Sequence, residues 1–383
     1  MLSALDRHYF EPLVVFTEKG PILDFARKLN IPVKVIPMHS VFFYSAYVPL
    51  RLRTLWSFVR YYRQTIKEAK KLIEFIKPDI VHLNTSVLIP VAIGVKKFGI
   101  PIIWHIREAP GPNKIIQKWQ ISMIKKLADG IIVNSNYVKG FYSGGPAIQT
   151  IHNAVDLELF NIDVVKAFKN IRSEFRITKN ATVICMIGAV QKVKGHFLLV
   201  EAAKKIVQHR PNSIFMVIAG GVDEKYINSW KGKIKRFFGL SLDNLQKMER
   251  LISKLNLEKN FIITGYRRDI PELLAASDIT VFLSQKAEGF GRPLIEGMAM
   301  SKPIVATNIG PAKEILGEGT GILVPVGDIN NTAKAIITLI DSQVDRIKMG
   351  KKGFTRVQKK FALKKHVSDL KHFIDTVLKI INN

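Results

Sequence analysis

A single cysteine, Cys185, occurs in the chain. It stands in the apolar run 182–187, so no intramolecular disulfide forms and the thiol reads as a small core residue. No uninterrupted apolar run is long enough to span a bilayer, and no secretory leader is found. The expected location is the cytoplasm, with the cytosolic face of the inner membrane as a candidate peripheral site. Acidic residues are scarce: 31 Asp and Glu stand against 58 Lys and Arg, a formal charge of +27. Such an excess suits a polyanionic partner, either nucleic acid, an anionic membrane surface or a phosphorylated substrate. No nucleic-acid module or aromatic-basic stacking surface accompanies the charge, so nucleic acid is not the expected partner. Also missing are an Asp-x-Asp pair, a His/Cys cluster, a Gly-x-Ser-x-Gly elbow and a P-loop Gly-Lys-Ser/Thr. Their absence argues against zinc, serine-hydrolase and P-loop chemistry, and no metal site or cofactor is expected.

What is present is a repeated alternation of short apolar strands and amphipathic helices, which predicts parallel sheets covered on both faces. The 383 residues suffice for two such domains. Strands are expected near Pro12–Phe16, Ile31–Pro37, Pro78–Asn84, Pro101–His105, Gly130–Ser135 and Ile148–His152. The pattern restarts at Val183–Gly188, Ile214–Ala219, Phe261–Gly265, Ile279–Leu283, Ile304–Thr307 and Gly321–Val324. The expected division is an N-terminal domain over 1–158, a linker over 159–180, a second domain over 181–345, and C-terminal helices over 346–383 with a kink near Phe361. Residues 1–10 read as helical. Leu50–Lys77 reads as a long helix rich in base, beside an aromatic patch at Val41–Tyr47, and Lys231–Phe238 as a basic, aromatic insertion. Ligands of doubly wound sheets sit at the carboxyl ends of the strands, so a cleft between two such domains is the expected site.

The densest chemistry lies in Ser284–Ala306. A buried strand gives way to Glu288-Gly289-Phe290-Gly291-Arg292-Pro293, and a helix follows from Leu294. The glycines permit close backbone approach to a ligand, and the helix start offers free N–H groups to an anion. Glu288 and Glu296 frame the turn in a Glu-x7-Glu spacing that suits a ligand with both phosphates and hydroxyls, such as a nucleotide sugar. Solvated acids at a helix start are the plain alternative for the pair. Lys194-Gly195 follows the first strand of the second domain and could neutralise a diphosphate. His105 ends a central strand and could meet a sugar hydroxyl, although on position alone a structural histidine is the favoured reading. His82 and Asn84 also stand at a strand end, where a structural role is favoured, and Asn153 stands at the domain junction, where an ordinary turn is as plausible as a cleft or hinge role.

Read in order, these blocks resemble the retaining family-4, or group 1, glycosyltransferases of the GT-B fold. The resemblance runs through Pro78–His82, Trp104–Glu108, Asn153–Asp156, Lys194-Gly195, Glu288–Glu296, Gly310–Glu314 and Gly321–Pro325. It implies two Rossmann-like domains facing a cleft, an acceptor-binding one and a nucleotide-sugar-binding one, with the C-terminal helices crossing back onto the first. It implies a hexosyltransferase moving a sugar from a UDP- or GDP-sugar to a glycan or lipid-linked acceptor, with retention and without metal, in cell-surface polysaccharide or lipopolysaccharide synthesis. His105, Lys194 and Glu288 would be catalytic. Gly289, Phe290, Gly291, Arg292, Pro293, Leu294 and Glu296 would hold the donor, with Gly265, Tyr266 and Arg267 near the base. Two departures stand out. Gly188 is followed by Ala189 where the family usually has Arg, and Met1–Leu5 looks like the middle of the first helix, so the N-terminal domain is expected to lack its first strand and Gly-rich loop. A catalytically impaired, shortened homologue acting as a binding protein is therefore the alternative expectation.

Overall fold

The computed structural model describes residues 2–17, 20–36, 52–162, 165, 168–218 and 244–382. Both Val41–Tyr47 and Lys231–Phe238 lie outside them. The chain divides into two compact units. The first comprises Met1–Ala154, Glu288–Phe290 and Leu363–Asn383, and the second Val155–Ala287 and Gly291–Ala362.

In the first unit, β1 (Val14–Phe16) and β2 (Val33–Val35) form a parallel pair around the helix Pro21–Lys28. The strands β3 (Val81–Leu83), β4 (Ile102–Ile106), β5 (Gly130–Val133) and β6 (Ala147–Thr150) form a second parallel sheet in that order. Among the described residues no ladder joins the two sets. Every residue of β4 and β5 is buried. Their apolar runs, interrupted in β4 by His105, suit a sheet covered on both faces, and side chains alternate between the two covers. Ile102, Trp104, Ile106, Ile131 and Val133 pack with Ile73, Ala92, Ile124 and Leu127, which belong to the helices Leu52–Ile76, Ile89–Lys96 and Lys114–Leu127. Ile103, Ile132 and Ile151 pack instead with Leu370, Phe373, Ile374 and Val377 of the last helix, Leu363–Asn382.

The second unit is one parallel sheet of β7 (Thr182–Ile187), β8 (Ser213–Ile218), β9 (Phe261–Ile263), β10 (Ile279–Phe282), β11 (Ile304–Thr307) and β12 (Gly321–Val324), in the order β12-β11-β10-β7-β8-β9. Again the two faces separate by alternation. Ile184 and Met186 pack on the helices His196–His209 and Ile329–Asp341, while Val183 and Cys185 pack with Leu273, Leu274 and Ile171. Burial among apolar neighbours raises the Cys185 thiol to about 12, so it is inert at neutral pH. The chain winds outward from β7 through β8 and β9 on one side and from β10 through β11 and β12 on the other. The strand order therefore reverses between β7 and β10, which makes their carboxyl ends the natural binding crevice of this unit.

Three sequence expectations are corrected. Of residues 1–10, read as helical, the described ones, 2–10, form no helix beyond the short 3₁₀ turn Leu2–Ala4. The Asp6 side chain accepts from the His8 amide and the Asp6 carbonyl from those of Tyr9 and Phe10, a local turn that competes with helix. The segment read as a linker, 159–180, carries the helix Phe168–Glu174 and packs Phe160, Ile162, Ile171, Phe175 and Ile177 into the second unit's core. The C-terminal helices do not act together. Gln343–Lys360 belongs to the second unit and Leu363–Asn382 to the first. They part at Phe361, a buried residue whose carbonyl accepts from the Val155 amide, outside any helical ladder.

Candidate active site

The first unit gathers polar side chains just beyond the carboxyl ends of β3 to β6. Arg107 follows β4 and its guanidinium donates to Asn84 Oδ1 at 2.8 Å and to Asn153 Oδ1 at 2.5 Å. The next residue, Glu108, accepts from Thr85 Oγ1 at 2.6 Å and from the amides of Ser86 and Arg107. Glu108 is thereby committed to holding the loop after β3 against the loop after β4. The turn Glu288–Phe290 is seated on the same ends. Ser135 Oγ donates to the Gly289 carbonyl at 2.7 Å, and Asn134 Nδ2 donates to the Arg107 carbonyl at 2.8 Å. A Cβ built on Gly289 would lie 2.1 Å from the Arg107 carbonyl oxygen, so only glycine fits there. The Phe290 ring approaches that of His152 at 6.0 Å.

His105 is fully buried in β4. Its Nδ1 pairs with Nε2 of His82 at 3.3 Å, and its Nε2 has no hydrogen-bond partner. His366, on the last helix, donates from Nδ1 to the His152 carbonyl at 2.7 Å, and its ring lies 6.2 Å from that of His105. Loss of hydration, with the nearby Arg107 cation, depresses all three imidazoles: His82 to about 4, His105 well below its ordinary value, His366 more modestly because its bond to a carbonyl opposes the shift. All three are neutral at pH 7. His366 is far from the others in sequence and was not anticipated.

In the second unit the site residues flank β7 and β10. The loop after β7 ends in a 3₁₀ turn, Lys192–Lys194, and Gly195 then opens the helix His196–His209. Gly195 has φ of +87° and a Cβ there would meet the Leu283 carbonyl oxygen at 2.0 Å. The loops after β7 and β10 are joined where the Gln285 amide donates to the Val193 carbonyl at 2.7 Å. These contacts carry Lys194 to the end of β10. The helix Arg292–Ala299 begins beside them, with Pro293 in its first turn and Gly291 at its N-cap. Side chains cap the helices that begin after Asn113, Asp328 and Ser342. None caps the helices that begin after Gly195 and Gly291. Two sets of helix-initial N–H groups are thus left for an anion at the switch point.

Glu296 is 7% exposed and accepts from Arg292 at 2.8 Å. Burial raises its carboxyl above the ordinary value, against the opposing pull of Arg292. Gly265 and an exposed Tyr266 follow β9. The Arg267 guanidinium is committed elsewhere, bridging Glu174 and Asp269 at 2.5 Å each. Of the residues singled out from sequence, His105, Glu288, Gly289 and Phe290 fall in the first unit. Lys194, Gly265, Tyr266, Arg267, Gly291, Arg292, Pro293, Leu294 and Glu296 fall in the second. The Glu-x7-Glu block is therefore divided between the units.

Residues 1–159 match the Glycosyltransferase Family 4 model and residues 167–356 that of Glycosyl transferases group 1. The chain belongs to the group 1, family 4 glycosyltransferases. Its fold is GT-B. This glycosyltransferase is 25% identical over 392 aligned positions to the UDP-Gal:alpha-D-GlcNAc-diphosphoundecaprenol alpha-1,3-galactosyltransferase of Escherichia coli, which covers 98% of this chain and 91% of that one. It is 27% identical over 241 positions to the poly(ribitol-phosphate) alpha-N-acetylglucosaminyltransferase of Staphylococcus aureus, across 62% of this chain and 44% of that protein. Among solved structures, HepE of Anabaena in complex with UDP-glucose superposes with a TM-score of 0.77 at 20% identity, over 98% of this chain and 94% of that one. No helix among the described residues of the glycosyltransferase is long and apolar enough to cross a membrane.

Proposed function

We propose that this glycosyltransferase is a hexosyltransferase that moves a sugar from a UDP-sugar to a lipid-linked glycan, with retention at the anomeric carbon and without a metal. The observation that carries the reading is a buried carboxylate, Glu296, set in an uncapped helix at the switch point of the second unit's sheet. That arrangement offers N–H groups to a diphosphate and an acceptor to ribose hydroxyls within one turn of helix. Lys194 on the adjoining loop supplies a positive charge for the leaving diphosphate, in the absence of any Asp-x-Asp in the sequence. Glu288 and His105 act on the transferred sugar, through its hydroxyls. Tyr266 borders the base. Arg267 contributes by fixing the Gly265–Asp269 turn through Glu174 and Asp269.

The choice of a UDP-sugar and a lipid-linked acceptor draws on the relative from Escherichia coli, whose name specifies both. The product would enter cell-surface polysaccharide or lipopolysaccharide. A lipid-linked acceptor places the reaction at a membrane surface, and the helix Leu52–Ile76 suits such contact. Its inner face buries Thr65, Ala69 and Ile73, while Trp56, Val59, Arg60, Arg63, Lys67 and Lys71 are exposed. Arg60 lies over the Trp56 ring at 4.9 Å, a basic-aromatic pairing fit for the headgroup region of anionic lipid.

A thermal-shift screen over UDP-, GDP- and ADP-sugars tests the donor assignment, because a ligand that binds only the native state raises Tm. A shift with UDP-sugars that disappears in Glu296→Ala and Lys194→Ala is expected. Equal shifts in wild type and both variants would remove the assignment.

A further inference from the structure

The Nε2 atom of His105 is a buried polar atom without a partner in the protein. An unmet group of this kind is costly unless something that binds later satisfies it. The opposite nitrogen, Nδ1, is occupied by His82 at 3.3 Å, with the two rings nearly parallel at 7°. Both imidazoles are neutral at pH 7, so each carries one N–H, and one of those protons lies between them. If His82 donates it, Nδ1 of His105 is bare and the proton of His105 must sit on Nε2, which is then a donor. If His105 donates it, Nε2 is a lone-pair acceptor. The state of one nitrogen is set by the bond the other makes.

We infer that His82 is a positioning residue that acts through His105: by fixing the proton at Nδ1 it decides whether Nε2 meets the substrate as donor or acceptor. The surroundings hold this arrangement steady. His82 is on β3 and His105 on β4, adjacent paired strands, so neither ring can drift along the sheet. Trp104, next to His105, donates from its indole to the Thr85 carbonyl at 2.7 Å, tying β4 to the loop that follows β3. Arg107 is the cation facing all three imidazoles and opposes a second proton on any of them. His366 completes the row from the last helix, and its tautomer is fixed independently. A carbonyl can only accept, so Nδ1 of His366 carries the proton and Nε2 does not. The role of His82 in turnover rests on the reading that His105 meets the transferred sugar. The tautomer coupling itself does not.

The test uses the full chain labelled with ¹⁵N in histidine, with wild type, His82→Phe, His82→Gln and His105→Phe compared. Ring ¹⁵N spectra report tautomers directly, and His105→Phe assigns the His105 resonances. In wild type a single His105 tautomer is expected. Rapid averaging of its two ring nitrogens would overturn the inference without any variant. His82→Phe is expected to shift or average the His105 nitrogens. The amide of His82→Gln lies where Nε2 was and should restore the wild-type pattern. In transfer assays with a UDP-sugar, His82→Phe should lower kcat roughly tenfold, the loss of one transition-state hydrogen bond, with donor KM little changed. His82→Gln should recover most of it, and His105→Phe should be no further impaired by His82→Phe. Unchanged His105 nitrogens in a folded His82→Phe protein overturn the inference. Wild-type turnover by His105→Phe removes His82 from the reaction while leaving the donor site of the second unit untouched.

Discussion

Gly289 lies so close to Arg107 that a Cβ on it would stand 2.1 Å from the Arg107 carbonyl oxygen. The same turn is held from its other side by Ser135, whose hydroxyl donates to the Gly289 carbonyl at 2.7 Å. Glu288 precedes this clamp by one residue, so its placement depends on a contact that tolerates no side chain. Gly289→Ala must displace the turn. Because misplacing a substrate-positioning group by an ångström can cost about a hundredfold, kcat/KM should fall by about that factor. Ser135→Ala leaves the backbone contact in place and removes the hydroxyl's bond to Gly289 together with the cap it gives the Val138 amide, and should cost roughly tenfold or less. Steady-state assays on both variants, with circular dichroism to verify folding, make the comparison.

Gly195 offers a parallel case in the second unit. There the strain is twofold, a φ of +87° and a Cβ position 2.0 Å from the Leu283 carbonyl oxygen. Gly99 has a similar φ of +70° but open space around it. Gly99→Ala therefore isolates the backbone cost, roughly 1–2 kcal/mol. Gly195→Ala adds overpacking, roughly another 1–3 kcal/mol, and should also weaken donor binding by moving Lys194. Urea unfolding of the two variants separates these terms.

Glu296 should show a trade between stability and function. Burial raises its pKa in the folded protein, so its contribution to stability is full below the ordinary carboxyl value of 4.5 and declines as pH rises through the folded value. At pH 7 the buried charge is a net burden on the fold. Glu296→Gln should therefore have a higher Tm than wild type at pH 7, a gap that closes toward pH 4.5 and below, while donor binding weakens. Thermal melts over this range, with and without UDP-sugar, read both effects.

The exposed face of Leu52–Ile76 predicts a lipid preference. Wild type should float with vesicles containing anionic lipid and not with neutral ones, and less so as salt is raised. Trp56→Ala with Arg60→Glu should reduce flotation several-fold and leave turnover of a water-soluble acceptor unchanged. Equal partitioning onto neutral and anionic vesicles would remove the membrane contact.

Much of the fold is legible in the sequence because its strands are short, mostly apolar runs rich in β-branched residues. Ile279–Phe282, Ile304–Thr307 and Gly321–Val324 lie where such runs end in polar or glycine punctuation. The loop after β7 and the turn Glu288–Arg292 stand out similarly, since glycine at a strand end before a helix has few other uses. Long-range choices were less visible. Nothing near Phe361 in the sequence shows that its carbonyl will serve Val155, so the last helices read as one kinked segment. Ile171 and its neighbours are mixed with charge, and their burial depends on the face of the second unit's sheet that they cover, which periodicity does not report. Arg267 pairs with Glu174, from the segment read as a linker, a partner that the sequence does not show. His366 resembles any polar residue of an amphipathic helix, and only the tertiary fold sets it beside His105.

The central claim is tested most directly by offering the purified chain a labelled UDP-hexose and a short-chain lipid diphosphate bearing N-acetylglucosamine, then determining the product's anomeric configuration by NMR. Sugar transfer with the donor's anomeric configuration kept is expected, and its loss in Glu296→Ala and Lys194→Ala. Inverted product, or undiminished transfer by both variants, would contradict it.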